Sequence, residues 1–508
     1  MLQRRRPVLL EPSRCKALAA ALLLATPLVA AAATGPGAAN DNGAGRAVVP
    51  LAFEPCTLAA PDLPITIAAG CATVDVPLDH ARPAGPRIQL AVARVASTAK
   101  RPEPDPVFML AGGPGQSALD SFPAVSGAFR EVLRSRHVVL VDQRGTGRSH
   151  PLKCPSGPQD DSAPPRAEDW RRAAADCLAQ LDIDPRYFTT SETIADLDDV
   201  RSALGVAQVN LVGVSYGTRV ALEYARRYPQ RTRAIVLDGV VPPTLALGAE
   251  HGRNLAEALE RIAAACIRDA VCHRQFADPH QTLTALLERL RESPPMVTYR
   301  DPLTDVERTE RMTAPRIAGV IRLYAYVPTL AAMLPFTLAE AAAGRPQRLM
   351  AQASMMESLV GEQLDLGLQL AVACTEDAPL LERLPAGGKT LLGEDFVGAM
   401  IAQCSVWPRG RMPADFHAPL VSDVPALLLS GELDPVTPPR YGDEVLAGLS
   451  HGRHLVARGQ GHNVMVAGCM PRLLGQFVRS ADASSLDVRC LDGLAATPPF
   501  GGAYGWEP

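Results

Sequence analysis

A layered α/β protein, a mostly parallel sheet flanked by helices, is what this sequence predicts. Three observations carry that expectation. PVFMLAG (106–112), HVVLVDQ (137–143), VNLVGV (209–214) and AIVLDGV (234–240) are nearly continuous apolar runs. Parallel strands buried on both faces read this way. Helical patterns separate these runs, and strand–helix–strand alternation favours a parallel sheet. The alternation then stops at Pro242-Pro243 and resumes at PALLLSG (425–431) and HLVARG (454–459).

Taken in order, ATVDVPL (72–78) and RIQLAVARV (87–95) alternate as half-buried strands of an antiparallel hairpin. With the four apolar runs they make six strands before the interruption. Trp170, Ala174, Cys177, Leu178 and Leu181 share one helical face. Ile194, Leu197, Arg201 and Leu204 share another, and Gly205 is placed to stop that helix. The interruption carries amphipathic stretches such as LAEALERIAAAC and QTLTALLERLRE. The expected organisation is a first core segment (49–243), a helical cap (244–395) inserted after the sixth strand, and a second core segment (396–508).

The first residues stand apart. MLQRRRPVLLEPSRCK is basic, ALAAALLLATPLVA is apolar, and Ala30 to Ala33 offer cleavage sites. Residues 1–33 therefore read as a secretory signal peptide, and the Gly- and Asn-rich 34–48 as a flexible linker. Loss of 1–33 removes five basic residues and one acidic residue, taking the net charge from −4 to −8. No basic face is concentrated anywhere, which argues against nucleic acid as a partner. No later run is long and apolar enough to span a bilayer. The expected location is secreted or periplasmic.

Of eleven cysteines, Cys15 lies in the leader and ten remain. An even number behind a signal peptide suggests disulfides, although ten cysteines allow hundreds of pairings. The expected set is local: Cys56 with Cys71, Cys154 with Cys177, Cys266 with Cys272, Cys374 with Cys404, and Cys469 with Cys490. No C-x-x-C or H-E-x-x-H occurs, so no metal or other cofactor is expected.

The chemistry centres on NLVGVSYGTRVALEYA (210–225). Gly213-Val214-Ser215-Tyr216-Gly217 places a serine between glycines where a strand becomes a helix, the pattern of a nucleophile elbow. Small neighbours allow strand and helix to approach, and the helix N-terminus favours developing negative charge. A serine needs a base, and the base an orienting carboxylate. Asp434 follows the strand PALLLSG, and His462 follows the next strand, 28 residues on. This is the order Ser, acid, His seen in α/β-hydrolases. Asp423 is the spare acid. MLAGGPGQSA (109–118) supplies open backbone N–H groups. The expected oxyanion donors are the N–H groups of Gly113 and Tyr216. Asp142-Gln143-Arg144 is expected to support the loops under the site.

GGPG, VVLVDQRGTGRS (138–149), GVSYGTR and SGELDPVTP…GQGH together resemble the proline iminopeptidase and tripeptidyl aminopeptidase family of α/β-hydrolases. The resemblance runs from VDVPLDHARP (74–83) to about residue 490. Length, leader and paired cysteines look more like the secreted tripeptidyl branch. The resemblance implies an α/β-hydrolase fold and a serine exopeptidase acting on peptide N-termini through Ser215, His462 and Asp434. A free N-terminus is a cation, and of Glu376 and Asp377 in AVACTEDAP (371–379) the resemblance favours Glu376 as its partner. Iminopeptidases commonly have His before GGPG where this chain has Ala111, which puts strict proline specificity in doubt. The rival expectations are a carboxylesterase with the same triad, acting on small esters, and a non-catalytic binding protein of the same fold.

Overall fold

The computed structural model describes residues 51–505 except 62–63, 156, 158–164, 385–390, 392–394 and 503–504. The expected leader and linker lie outside the described residues. The described chain is built on a nine-stranded sheet in the order β1-β2-β3-β5-β4-β6-β7-β10-β11. Its strands are β1 (Glu54–Ala59), β2 (Thr66–Pro77), β3 (Arg87–Val95), β4 (Val107–Leu110), β5 (Val138–Val141), β6 (Val209–Val214), β7 (Thr232–Asp238), β10 (Ala426–Gly431) and β11 (Gly452–Ala457). Strands β1, β2, β3 and β5 pair antiparallel, and β5, β4, β6, β7, β10 and β11 pair parallel.

The parallel strands are apolar throughout because both faces are covered. Along β4, Phe108 and Leu110 point into one core with Val139, Leu211, Leu237 and Leu428. Val107 and Met109 point into the other with Leu140, Val212, Val236 and Leu427. This is the period-two alternation of a strand. The helix Tyr216–Arg227 closes the first core through Val220 and Leu222. The helix Met470–Ser480 closes the second through Leu473, Leu474 and Phe477.

Two elements correct the expectation. Strand β1 is paired to β2 and tied to it by Cys56–Cys71, so the break in the sheet follows the seventh strand of the chain, not the sixth. EPCTLA carries too little apolar alternation to announce itself. Between β7 and β10 the chain is mainly helical, but it also forms the antiparallel hairpin β8 (Met296–Arg300) and β9 (Glu307–Arg311). MVTYR alternates exposed and buried residues, whereas the charged ERTER gives no apolar period. Leu255, Leu287, Ile317, Ile321, Tyr324 and Leu338 form a separate core in this stretch.

All five local disulfides are formed: Cys56–Cys71, Cys154–Cys177, Cys266–Cys272, Cys374–Cys404 and Cys469–Cys490. Each closes a loop of at most 30 residues, for which the chain-entropy model gives about 2–4 kcal/mol apiece.

Candidate active site

Ser215 sits at the hinge between β6 and the helix Tyr216–Arg227, with φ 54° and ψ −123°. A non-glycine residue there is strained by about 1–3 kcal/mol and is held by its surroundings. The hold is visible: Ser215 N donates to Asp238 O (2.8 Å), and Ser215 O accepts from Thr218 N (2.8 Å) and Thr218 Oγ1 (2.6 Å). A Cβ on Gly213 would run into Gly217 O, and one on Gly217 into Leu110 O. The flanking glycines thus allow the helix to cross tightly over the sheet. From Val209 to Ala225 every residue is buried except Ser215.

Asp434 follows β10 and is almost completely buried. Its Oδ1 accepts from Val436 N (2.9 Å) and Thr437 N (2.8 Å). Its Oδ2 accepts from Thr437 Oγ1 (2.8 Å) and lies 2.7 Å from His462 Nδ1. Burial opposes the charge on Asp434, but the imidazole and these donors outweigh it, so its pKa lies below the ordinary carboxylate value. Burial likewise opposes an imidazolium at His462, but the Asp434 charge and hydrogen bond prevail, raising the pKa above 6.5. With Nδ1–H given to Asp434, Nε2 is left as the basic nitrogen. The spare acid Asp423 instead accepts from Ser450 Oγ (2.6 Å).

Asp238, at the end of β7, joins the two halves. Its carbonyl holds Ser215 N. Its carboxylate accepts from Val464 N (3.0 Å) and Met465 N (2.8 Å), just past His462. The next residue is Gly239, where a Cβ would lie 2.7 Å from His462 Cε1. The Asp238–Gly239 corner thus contacts both Ser215 and His462, although among the described residues the Ser215 hydroxyl makes no hydrogen bond to the imidazole. Burial pushes the Asp238 carboxyl up to about 6 despite both donors. Sequence reasoning missed this residue, although a carboxylate at the end of a buried strand was a signal. Asp238→Ala is expected to lower kcat/KM about tenfold to a hundredfold by freeing the His462 loop. Asp238→Asn, keeping one acceptor oxygen, should recover part of the loss. Rates of inactivation by a fluorophosphonate, beside thermal melts, separate this positioning effect from unfolding.

The loop after β4 lies against the serine, with a Cβ on Gly112 falling 3.1 Å from Ser215 Cβ. Neither Gly113 N nor Tyr216 N donates a hydrogen bond among the described residues. Two such free N–H groups beside a nucleophile suit an oxyanion. Behind them the Tyr216 hydroxyl meets Thr190 Oγ1 (2.7 Å), which donates to Glu376 Oε2 (2.8 Å), while Thr190 N donates to Oε1 (2.7 Å). Glu376 is 1% exposed. Burial pushes its pKa up to about 8 in spite of Arg219. Arg219 pairs with Asp377 at 3.0 Å. Glu376 and Asp377 lie on one wide π-helical turn, Ala373–Asp377, anchored by Cys374–Cys404. Thr190 carried no motif in the sequence, and Arg219 and Thr437, although inside GVSYGTR and SGELDPVTP, were given no role.

The Asp142-Gln143-Arg144 segment braces the loops. Asp142 accepts from Ser117 Oγ, Leu119 N and Arg148 N. Gln143 Nε2 reaches Ala111 O (3.3 Å). Arg144 pairs with Asp196 and with the carbonyls of Pro77, Leu78 and Tyr187.

Residues 105–468 match the family model described as alpha/beta hydrolase fold. The chain belongs to that family. It is similar to serine protease Hip1 of Mycobacterium tuberculosis (strain ATCC 25618 / H37Rv), 28% identical over 499 residues, which cover 87% of this chain and 91% of the relative. The tripeptidyl aminopeptidase of Streptomyces lividans is 35% identical over 193 residues, 34% of this chain and 36% of that one. Carboxylesterase B of the same Mycobacterium strain is 33% identical over 289 residues, 53% of this chain and 55% of that one.

Proposed function

We propose that this protein is a secreted serine exopeptidase that removes short peptides or single residues from peptide N-termini. The observation that carries the reading is the His462–Asp434 pair, 2.7 Å apart, set over the same Asp238–Gly239 corner that holds Ser215. His462 Nε2 takes the Ser215 proton as Oγ attacks the substrate carbonyl, and Asp434 holds the tautomer and stabilises the imidazolium. The N–H groups of Gly113 and Tyr216 receive the oxyanion. His462 then protonates the departing amine, and water, activated the same way, releases the acyl group.

Residues 244–395 act as the cap. Tyr326, from this stretch, packs edge-on against His462 with ring centroids 5.1 Å apart, and its carbonyl accepts His462 N (2.9 Å). A roof this close restricts the site to chain ends and small substrates. Glu376 lies behind the Tyr216 side chain with both oxygens bonded to Thr190, so on this reading it acts on a substrate ammonium as a buried carboxyl at a distance, not by direct contact. The leader pattern and five disulfides support export. Among the described residues no helix is long and apolar enough to cross a membrane.

The test compares N-terminally free peptide amides with their N-acetylated counterparts and with simple esters. Free amides should react much faster than blocked ones. Equal rates on both would sink the exopeptidase reading. The similarity to a carboxylesterase over half the chain supports the second reading, hydrolysis of small esters alone, which rapid ester turnover without peptide cleavage would favour.

The pH profile follows from the His462 shift. The base must be neutral, so kcat/KM falls as pH drops through its pKa. That pKa is raised from 6.5, so the acid limb should have its midpoint above 6.5. A midpoint at or below that value would contradict the geometry of the Asp434 pair.

A further inference from the structure

Arg322 lies on the helix Ala314–Tyr326, one turn before Tyr326 and on the same face. Its guanidinium is 3.3 Å from His251 Nδ1 and 3.3 Å from Tyr326 Oη. Its Cζ lies 5.9 Å from the Tyr326 ring centroid and 5.8 Å from that of Phe396. The His251 ring packs at a tilt of 44° against the same Phe396, with centroids 5.7 Å apart. Among the described residues no carboxylate pairs with Arg322, and its Nε is buried without a partner. A cation so placed, with no paired carboxylate among the described residues and a donor unused, has the chemistry to bind an anion. His251 extends it. Arg322 donates to His251 Nδ1, so the ring proton sits on Nε2, a second donor without an acceptor among the described residues. Burial and then Arg322 hold the His251 pKa well below the ordinary value, so His251 stays neutral beside the one positive charge and offers its Nε2–H as a donor.

The position defines which part of a substrate this site meets. His462 must hand its proton to the leaving atom, so the leaving group lies against the imidazole. Tyr326 both packs on that imidazole and accepts from its backbone N–H, and Arg322 is the next residue back on that helix face. We propose that Arg322 and His251 form a carboxylate-binding subsite on the leaving-group side, so that preferred substrates release a fragment bearing a carboxylate close to the scissile bond. The proposal rests on the Ser215–His462–Asp434 reading. It makes short peptides, whose free C-terminus lies near the cut, the favoured class.

The test measures kcat/KM as ratios within one enzyme. N-terminally free peptides of one sequence are offered as the C-terminal acid, as the C-terminal amide, and as the amide with Asp as the first residue released. The wild type should prefer a carboxylate-bearing substrate by about tenfold or more. Preference for the acid identifies a chain terminus, and preference for the Asp amide identifies a side chain. Arg322→Gln should bring the ratio near one, and Arg322→Lys should keep part of it. A wild type without preference, or an Arg322→Gln variant that keeps it, overturns the proposal. Acetyl esters of 4-hydroxybenzoate and 4-hydroxybenzamide repeat the contrast without a peptide bond. Carboxylate-selective ester hydrolysis without peptide cleavage would reject the exopeptidase reading and keep the subsite. Peptide cleavage indifferent to the carboxylate would do the reverse.

Discussion

Replacing Ser215 by alanine is expected to lower kcat by roughly four to six powers of ten and to abolish labelling by a fluorophosphonate, with the melting temperature little changed. The fold should survive because the Ser215 hydroxyl makes no hydrogen bond among the described residues, while the bonds that set the elbow use its backbone. Alanine and serine bear similar strain at φ 54°. Asp434→Asn tests the same machinery from the other end. An asparagine that donates to His462 favours the wrong tautomer, for which a loss of about 10⁴-fold in kcat is expected. The direction of the residual pH profile is also set. Removing the Asp434 charge leaves burial as the dominant influence on His462, so the acid limb should move down. Steady-state kinetics over pH 5–9 check both, and an unchanged limb in Asp434→Asn would contradict the pairing.

The strand-to-helix turn at Ser215 and the Asp434–His462 pair were legible because each is bounded by a strong local period. VNLVGV and PALLLSG are nearly continuous apolar runs, and Ser215, directly after the first, and Asp434, three residues past the second, stand out against that background. His462 was reached by order along the chain and by its place just past a strand, and Asp423 fell to the structure, which gives it to Ser450. The bracing groups were invisible for a different reason. Thr190 lies 186 residues from Glu376 in sequence, and Arg219 lies 158 from Asp377, so no local pattern links them. Asp238 was hidden in plain view, since AIVLDGV explains itself as a strand. The same limit applied to β1 and β9. Their pairing is decided by neighbours, and EPCTLA and ERTER carry no apolar face long enough to report it.

Gly431→Ala is expected to be the most damaging change of a single methyl group in the acid–base half of the site. Gly431 ends β10, and a Cβ there would run into Gly461 O and lie 2.6 Å from Gln460 O. Those carbonyls belong to the loop that carries His462, and Leu433 N donates to Gln460 O (2.8 Å) to tie it to the Asp434 turn. The loop has no slack on its other side, because His462 N is held by Tyr326 O. Overpacking here should cost about 1–3 kcal/mol. The displacement, of order 1 Å, should cost about a hundredfold in kcat. Gly319 provides the internal control. It lies within the helix Ala314–Tyr326, with nothing within 4 Å of a new Cβ, so Gly319→Ala should stabilise by about 0.5–1 kcal/mol. Thermal melts and fluorophosphonate inactivation rates on both variants separate the cases. Gly431→Ala should lose labelling rate at temperatures where it is still folded, since the distance that fails is the one between His462 and its partners rather than the packing of the sheet. If labelling falls only where the protein melts, the glycine serves the fold alone.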